Sequence, residues 1–177
     1  QLAQWVGPVA EFATGADLLV FATADARGVL QIGILSGKPP LLSAHEEEGA
    51  LRLELPEDMP SSMTHAEICG GLAISFATAR RARINGALTR GAGQTNLHAT
   101  ETFTLCKKYV APTIALDESR HIGPVSREPA HLDDPAVLAR LEAAETAFLA
   151  TLSPAGAPDV AHRGGPAGFL RPDAAHN

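Results

Sequence analysis

Apolar and polar positions along this chain recur with two periods. L-R-L-E-L (Leu51 to Leu55) alternates strictly, the two-residue period of a strand with one buried face. G-L-A-I-S-F (Gly71 to Phe76), R-A-R-I-N-G-A-L (Arg81 to Leu88) and E-T-F-T-L (Glu101 to Leu105) also read as strands. Gln1 to Thr14 and D-D-P-A-V-L-A-R-L-E-A-A-E-T (Asp133 to Thr146) read as helices. In the second, Asp133 or Asp134 can cap the free amides and Pro135 suits the first helical position. Leu138, Leu141 and Ala144 recur there on one face. P-S-S-M-T-H-A-E-I (Pro60 to Ile68) opens with hydroxyl caps and predicts a short helix.

Sliding the chain over itself exposes a repeat. F-A-T-A-D-A-R-G (Phe21 to Gly28) lies over L-A-T-L-S-P-A-G (Leu149 to Gly156), 128 residues later. In the same register S-G-K-P-P-L-L (Ser36 to Leu42) lies over G-G-P-A-G-F-L (Gly164 to Leu170). Each copy has an apolar strand, a turn begun by Asp or Ser and closed by Gly, a second strand, and a Gly/Pro-rich bend. Each also follows a predicted helix, so internal duplication is the better reading than chance. The order helix, hairpin, strands, helix, hairpin predicts a mainly β, α+β fold: a small antiparallel barrel with helices at its rim. Residues 1–110 form the first repeat, 111–132 a linker, and 133–177 the start of a second, incomplete repeat ending at its first hairpin.

Composition narrows the classes. The 177 residues are 45% hydrophobic and 19% charged, which suits a globular chain and not a disordered one. Sixteen glycines, thirteen prolines and 5% aromatics favour small-residue packing and many turns. A net charge of −6 predicts no bulk attraction to nucleic acid or anionic membrane. No run reaches the length of a spanning helix, and Gln1 opens no signal-peptide pattern, so a cytoplasmic protein is expected. A start at Gln rather than Met suggests that a few residues were removed or left out. Cys69 and Cys106 give no disulfide framework and no zinc spacing. The seven histidines show no paired ligand spacing, so no metal is expected.

Three places could carry chemistry. In R-A-R-I-N-G-A, Arg81, Arg83 and Asn85 share one strand face while Ala82, Ile84 and Gly86 share the other. Two guanidiniums on one face suit a phosphate or carboxylate, although a solvated outer strand has the same pattern. Ser61, Ser62 and Thr64 stand at a predicted helix start, where amides attract anions, and where plain capping is the commoner use. In H-R-G-G, His162 can hydrogen-bond a heterocycle or serve as a structural bonder, and the glycines after Arg163 let backbone approach something flat or charged. Lys107 and Lys108 beside Cys106 would lower a thiol pKa, while a small core residue is the plainer reading.

Together these stretches resemble the pyridoxamine 5'-phosphate oxidase-like, FMN-binding split-barrel family. A-F-L-A-T-L-S-P-A-G-A-P-D-V-A-H-R-G-G-P-A-G-F-L is similar to that group's "A-T-x-x-x-x-G-x-P" hairpin and "S-H-R-G-G-P-x-G-F" bend. R-R-A-R-I-N-G-A resembles its "R-R-x-R-V-N-G-x-A" strand, and F-T-L-C-K-K-Y-V its "N-C-P-K-Y-I" segment. The resemblance implies a six-stranded split barrel, a homodimer, and FMN held between barrels by an oxidoreductase acting on a small-molecule substrate or on NAD(P)H. Carried over, it points to Ser61, Ser62, Arg81, Arg83, Lys108, His162 and Arg163 as cofactor-binding, and to no catalytic base. The first hairpin departs from the pattern: V-L-Q-I-G-I-L-S-G-K lacks the basic residues that phosphate-binding oxidases place there, with only Lys38 nearby. A cofactor-free binding or dimerisation module, and haem held through His162, are the alternatives.

Overall fold

The computed structural model of the chain describes residues 6–47, 50–56, 66–91, 93–105, 131 and 133–171. Helix α1 (Val6–Thr14) leads into strands β1 (Leu18–Ala24), β2 (Leu30–Ser36), β3 (Ser43–Glu47), β4 (Ala50–Leu55), β5 (Ile68–Ser75), β6 (Arg80–Gly91) and β7 (Gln94–Leu105). Helix α2 (Pro135–Ala143) and strands β8 (Thr146–Leu152) and β9 (Pro158–Gly164) follow. The described residues form a mainly antiparallel β fold with two short helices, the α+β class expected from the sequence. No helix among the described residues is long and apolar enough to cross a membrane.

Seven strands form one sheet in the order β2-β1-β5-β6-β7-β4-β3. Leu19 and Phe21 of β1, Leu51, Leu53 and Leu55 of β4, Ala82 and Ile84 of β6 and Leu97 of β7 point into one core, with Val9 and Ala13 of α1 among them. Leu35 of edge strand β2 and Ala44 of edge strand β3 reach that same core from opposite ends of the sheet. The sheet therefore curls round α1, which fills the interior.

Strands β1 and β5 are buried on both faces. Leu19, Phe21, Cys69 and Ala73 face inward, while Leu18, Val20, Ala22, Leu72 and Ile74 face outward. The outward set is covered by the second hairpin, β8–β9, through Val160, Phe148 and Ala150. The barrel thus has an inner core and an outer one.

The two hairpins match in detail. Leu18 pairs with Ser36 and Ala24 with Leu30; 128 residues on, Thr146 pairs with Gly164 and Leu152 with Pro158. In the first turn the Asp25 amide donates to the Val29 carbonyl and the Gly28 amide to the Asp25 carbonyl; Ser153, Ala157 and Gly156 repeat this. Gly28 (φ 78) and Gly156 (φ 81) occupy the left-handed region that glycine enters at no steric cost. The faces that meet in the outer core are also equivalent: Val20, Ala22 and Ile32 against Phe148, Ala150 and Val160. This is the geometry of an isologous interface inside one chain.

Some elements differ from the expectation. Strand β3 reads S-A-H-E-E, with too few apolar positions for alternation to show. β7 begins at Gln94, seven residues before the predicted start, because Q-T-N-L-H-A-T is polar on its outer face and only partly buried. The helix predicted over 60–68 falls mostly outside the described residues, and its last residue, Ile68, opens β5 instead.

Candidate functional site

Arg81, Arg83, Asn85 and His162, among the polar residues singled out in the sequence, meet where β9 packs on β5 and is bonded from β6. Gly70 makes this packing possible: a Cβ there would lie 2.5 Å from the Pro158 carbonyl oxygen and 2.6 Å from Asp159 Cα. Only a residue without a side chain lets β9 settle this close. Next to it the Gly71 amide donates to Asn85 Oδ1 at 3.2 Å. A register shift in the β6–β7 pairing follows at Asn85/Gly86.

Arg81 and Arg83 share one face of β6, as strand alternation predicts, and that face is turned toward β9. Arg81, only 8% exposed, donates from an Nη to His162 Nδ1 at 2.7 Å. Arg83 Nε lies 3.0 Å from Asp159 Oδ1, and a terminal Nη donates to the Val160 carbonyl at 3.3 Å. The Arg83 guanidinium also stacks over Phe103, 5.2 Å from the ring centroid. Asn85 Nδ2 donates to Glu101 at 2.8 Å and to Asp159 at 3.4 Å. The arginine stripe therefore grips the second hairpin, and each guanidinium already has protein partners.

His162 is buried at 6% exposure. A guanidinium can only donate, so Nδ1 is the acceptor and the ring proton sits on Nε2, facing Thr146 Oγ1 at 3.4 Å. Phe148 packs against the ring, with centroids 5.5 Å apart. Burial first, then the charges of Arg81 and Arg163, push the imidazole pKa down to about 4. His162 is thus neutral, held at both nitrogens, and part of the outer core's polar edge.

Arg163 stands apart. It is exposed, and its guanidinium donates to the neighbouring His162 carbonyl at 3.2 Å. The repeat shows what is unusual about it: its counterpart in the first copy is Leu35, which packs on the barrel core. Ala147, Leu149 and Ala161 lie on the same inner face of the second hairpin, where the first copy has Leu19, Phe21 and Gly33. Leu149 is 51% exposed. An open, mostly apolar face with one cation at its edge replaces a closed core. The bend after it is tight, since a Cβ on Gly165 would lie 2.8 Å from Phe169 Cβ.

Ser61, Ser62 and Lys108, with Cys106, lie outside the described residues, so their convergence with the arginines has no geometry here. Cys69 is fully buried, and desolvation pushes its thiol up to about 12, which makes it an inert core residue. Among the described residues no three His, Cys, Asp or Glu side chains cluster to hold a metal ion. Asp159 is the residue the sequence reading missed. Its signal was present, since a carboxylate stands in β9 where the first copy has Gln31.

No protein-family model matches the chain, and no curated protein matches it. A solved structure of a NimC/NimA family protein from Clostridium acetobutylicum is similar over 59% of this chain and 94% of that one, with 12% sequence identity and a TM-score of 0.39.

Proposed function

We infer that the chain is a split-barrel protein that binds a flavin nucleotide, FMN, on the inner face of its second hairpin and belongs to an oxidoreductase. The observation that carries this reading is Arg163 in the place of Leu35, a half-buried leucine packed against the barrel core, at the rim of an open face floored by Ala147, Leu149 and Ala161. A flat apolar ring system with a phosphate tail asks for those two chemistries side by side. The H-R-G-G-P-A-G-F bend supplies the family resemblance at the same position. FMN would contribute the redox chemistry, and the protein would bind and orient it.

The fit is uneven. Arg81, Arg83 and His162 suit the cofactor less well, because Arg83 is paired with Asp159 and Val160 of β9, while buried Arg81 and His162 bond each other and His162 also faces Thr146. His162 fits haem no better, since both ring nitrogens face protein partners. Among the described candidates Arg163 alone is open to a phosphate; Ser61, Ser62 and Lys108 are the remaining ones. The occupied arginines favour the second reading, a cofactor-free module in which the stripe is purely a clasp.

Titration of FMN with the purified chain, read by flavin fluorescence, separates the two. Saturable quenching that Arg163→Gln weakens by about tenfold, the worth of one charge-assisted contact, and that Arg83→Gln leaves unchanged is the expected result. A chain that quenches no flavin at micromolar concentration abolishes the flavin reading and leaves the clasp.

A further inference from the structure

We propose that the second hairpin is a strap released by protonation of His162: β8 and β9 come off as one unit, the barrel sheet stays folded, and the apolar outward face of β1 and β5 is uncovered. The barrel and the hairpin share no strand pair, since β8 pairs with β9 and the barrel strands pair among themselves. Among the described residues the inner core holds none from the hairpin. Of the outer core's buried apolar residues, Leu18, Val20, Ala22, Leu72 and Ile74 belong to the barrel and Val160 alone to the hairpin. Helix α2 has no buried residue to add. A large share of the hairpin's hold is therefore polar and comes from β6: Arg81 on His162, Arg83 on Asp159 and the Val160 carbonyl, and Asn85 on Asp159.

That clasp closes only around a neutral imidazole. Nδ1 of His162 accepts from Arg81, and an imidazolium has no acceptor nitrogen to offer. Protonation would also set a second cation against the buried Arg81 guanidinium, with the charge of Arg163 nearby. Nothing on the facing elements offsets this. Strands β1, β2, β5 and β8 carry no charged side chain. Asp159 is paired with Arg83, and Glu101 of β7 accepts from Asn85. Burial, then Arg81 and Arg163, hold the imidazole at about 4 in the closed seam against its ordinary 6.5. The closed state is thus fully favoured above 6.5 and loses ground as pH falls toward 4. Once off the barrel, a lone two-stranded hairpin is marginal in water, so its amides exchange.

Flavin binding plays no part in this release, and the readout is native-state amide exchange of the full chain. Rates are measured from neutral pH down to the His162 value, corrected for intrinsic exchange, with and without low denaturant. The β8 and β9 amides are expected to exchange through an opening about tenfold or more frequent than that of the β4, β6 and β7 amides. Its denaturant dependence is expected to be weaker, because less surface is exposed. The hairpin's opening constant is expected to rise by up to roughly tenfold per pH unit through the His162 window, staying ahead of the barrel's throughout. In His162→Asn that acid rise is expected to flatten. Hairpin and barrel amides that exchange through one common opening at every pH overturn the strap. A separate hairpin opening that ignores pH, or that rises equally in His162→Asn, overturns release through His162.

Discussion

Phe21 is 2% exposed, sealed between α1 and the strands of the barrel, while Leu149, its counterpart in the second hairpin, is 51% exposed. Between them the backbone hardly changes: pairing register, turn hydrogen bonds and the left-handed glycine all repeat. What changes is the company each face keeps. The first hairpin buries both faces, inward on the barrel and outward on its own copy. The second buries only the outward one, and α2, unlike α1, has no buried residue. A hairpin of this kind is therefore a stable local unit whose function depends on which face is left uncovered.

The strongest test of that contrast is truncation at the two equivalent positions. Phe21→Ala removes a core ring and is expected to cost about 3–5 kcal/mol of barrel stability in denaturant unfolding. Leu149→Ala is expected to stay within about 0.5 kcal/mol, as for an exposed site. Comparable losses at both positions would mean that the second inner face is covered after all.

The seam between the copies should answer to pH. His162 has an ordinary pKa near 6.5 when unfolded and about 4 in place. Between those values the unfolded chain binds a proton that the folded chain refuses, so stability falls as pH falls through this window. The loss is at most about 3 kcal/mol. His162→Asn keeps an acceptor for Arg81 and removes the titration, so its unfolding free energy is expected to lose less than wild type's over the same window. Arg81→Met is expected to raise the His162 pKa, seen by NMR titration, by removing the charge beside the ring, and to destabilise the seam by about 1–3 kcal/mol. A His162 pKa left at its unfolded value would refute the buried clasp.

Much of this was written in the sequence, unevenly. The hairpins and α2 were legible because their signals are local: Asp and Ser opening each turn, Gly closing it, and Asp134 with Pro135 starting the helix. Asp134 accepts the Ala136 amide at 2.8 Å, as capping requires. The arginine stripe was legible as a face but not as a purpose. Strand alternation puts Arg81 and Arg83 together, yet only the crossing of β9 over Gly70 brings them against His162 and Asp159. That crossing joins residues more than seventy positions apart, and no local pattern encodes it. β3 was missed for the opposite reason: edge position and pairing with β4 make it a strand, with almost no apolar residue of its own to announce it.

The finest comparison lies in the turns. Asp25 accepts the Arg27 and Val29 amides at 2.8 and 2.9 Å, while Ser153 accepts only the Ala157 amide, at 3.0 Å. The Val29 bond, then those from Arg27, hold the Asp25 carboxyl below its usual 3.8. Stability from this source is present above that value and is lost below it, as pH falls through the lowered folded-state value. A serine hydroxyl does not titrate, so its contribution is constant. Ser153→Ala is expected to cost about 0.5–1 kcal/mol at any acidic or neutral pH, felt as faster amide exchange in β8 and β9. Asp25→Ala is expected to speed exchange in β1 and β2 at neutral pH and to match wild type once the carboxylate is protonated. If both turns responded alike to acid, the matched backbones would conceal no difference in chemistry, and Asp25 would be no more than a turn former.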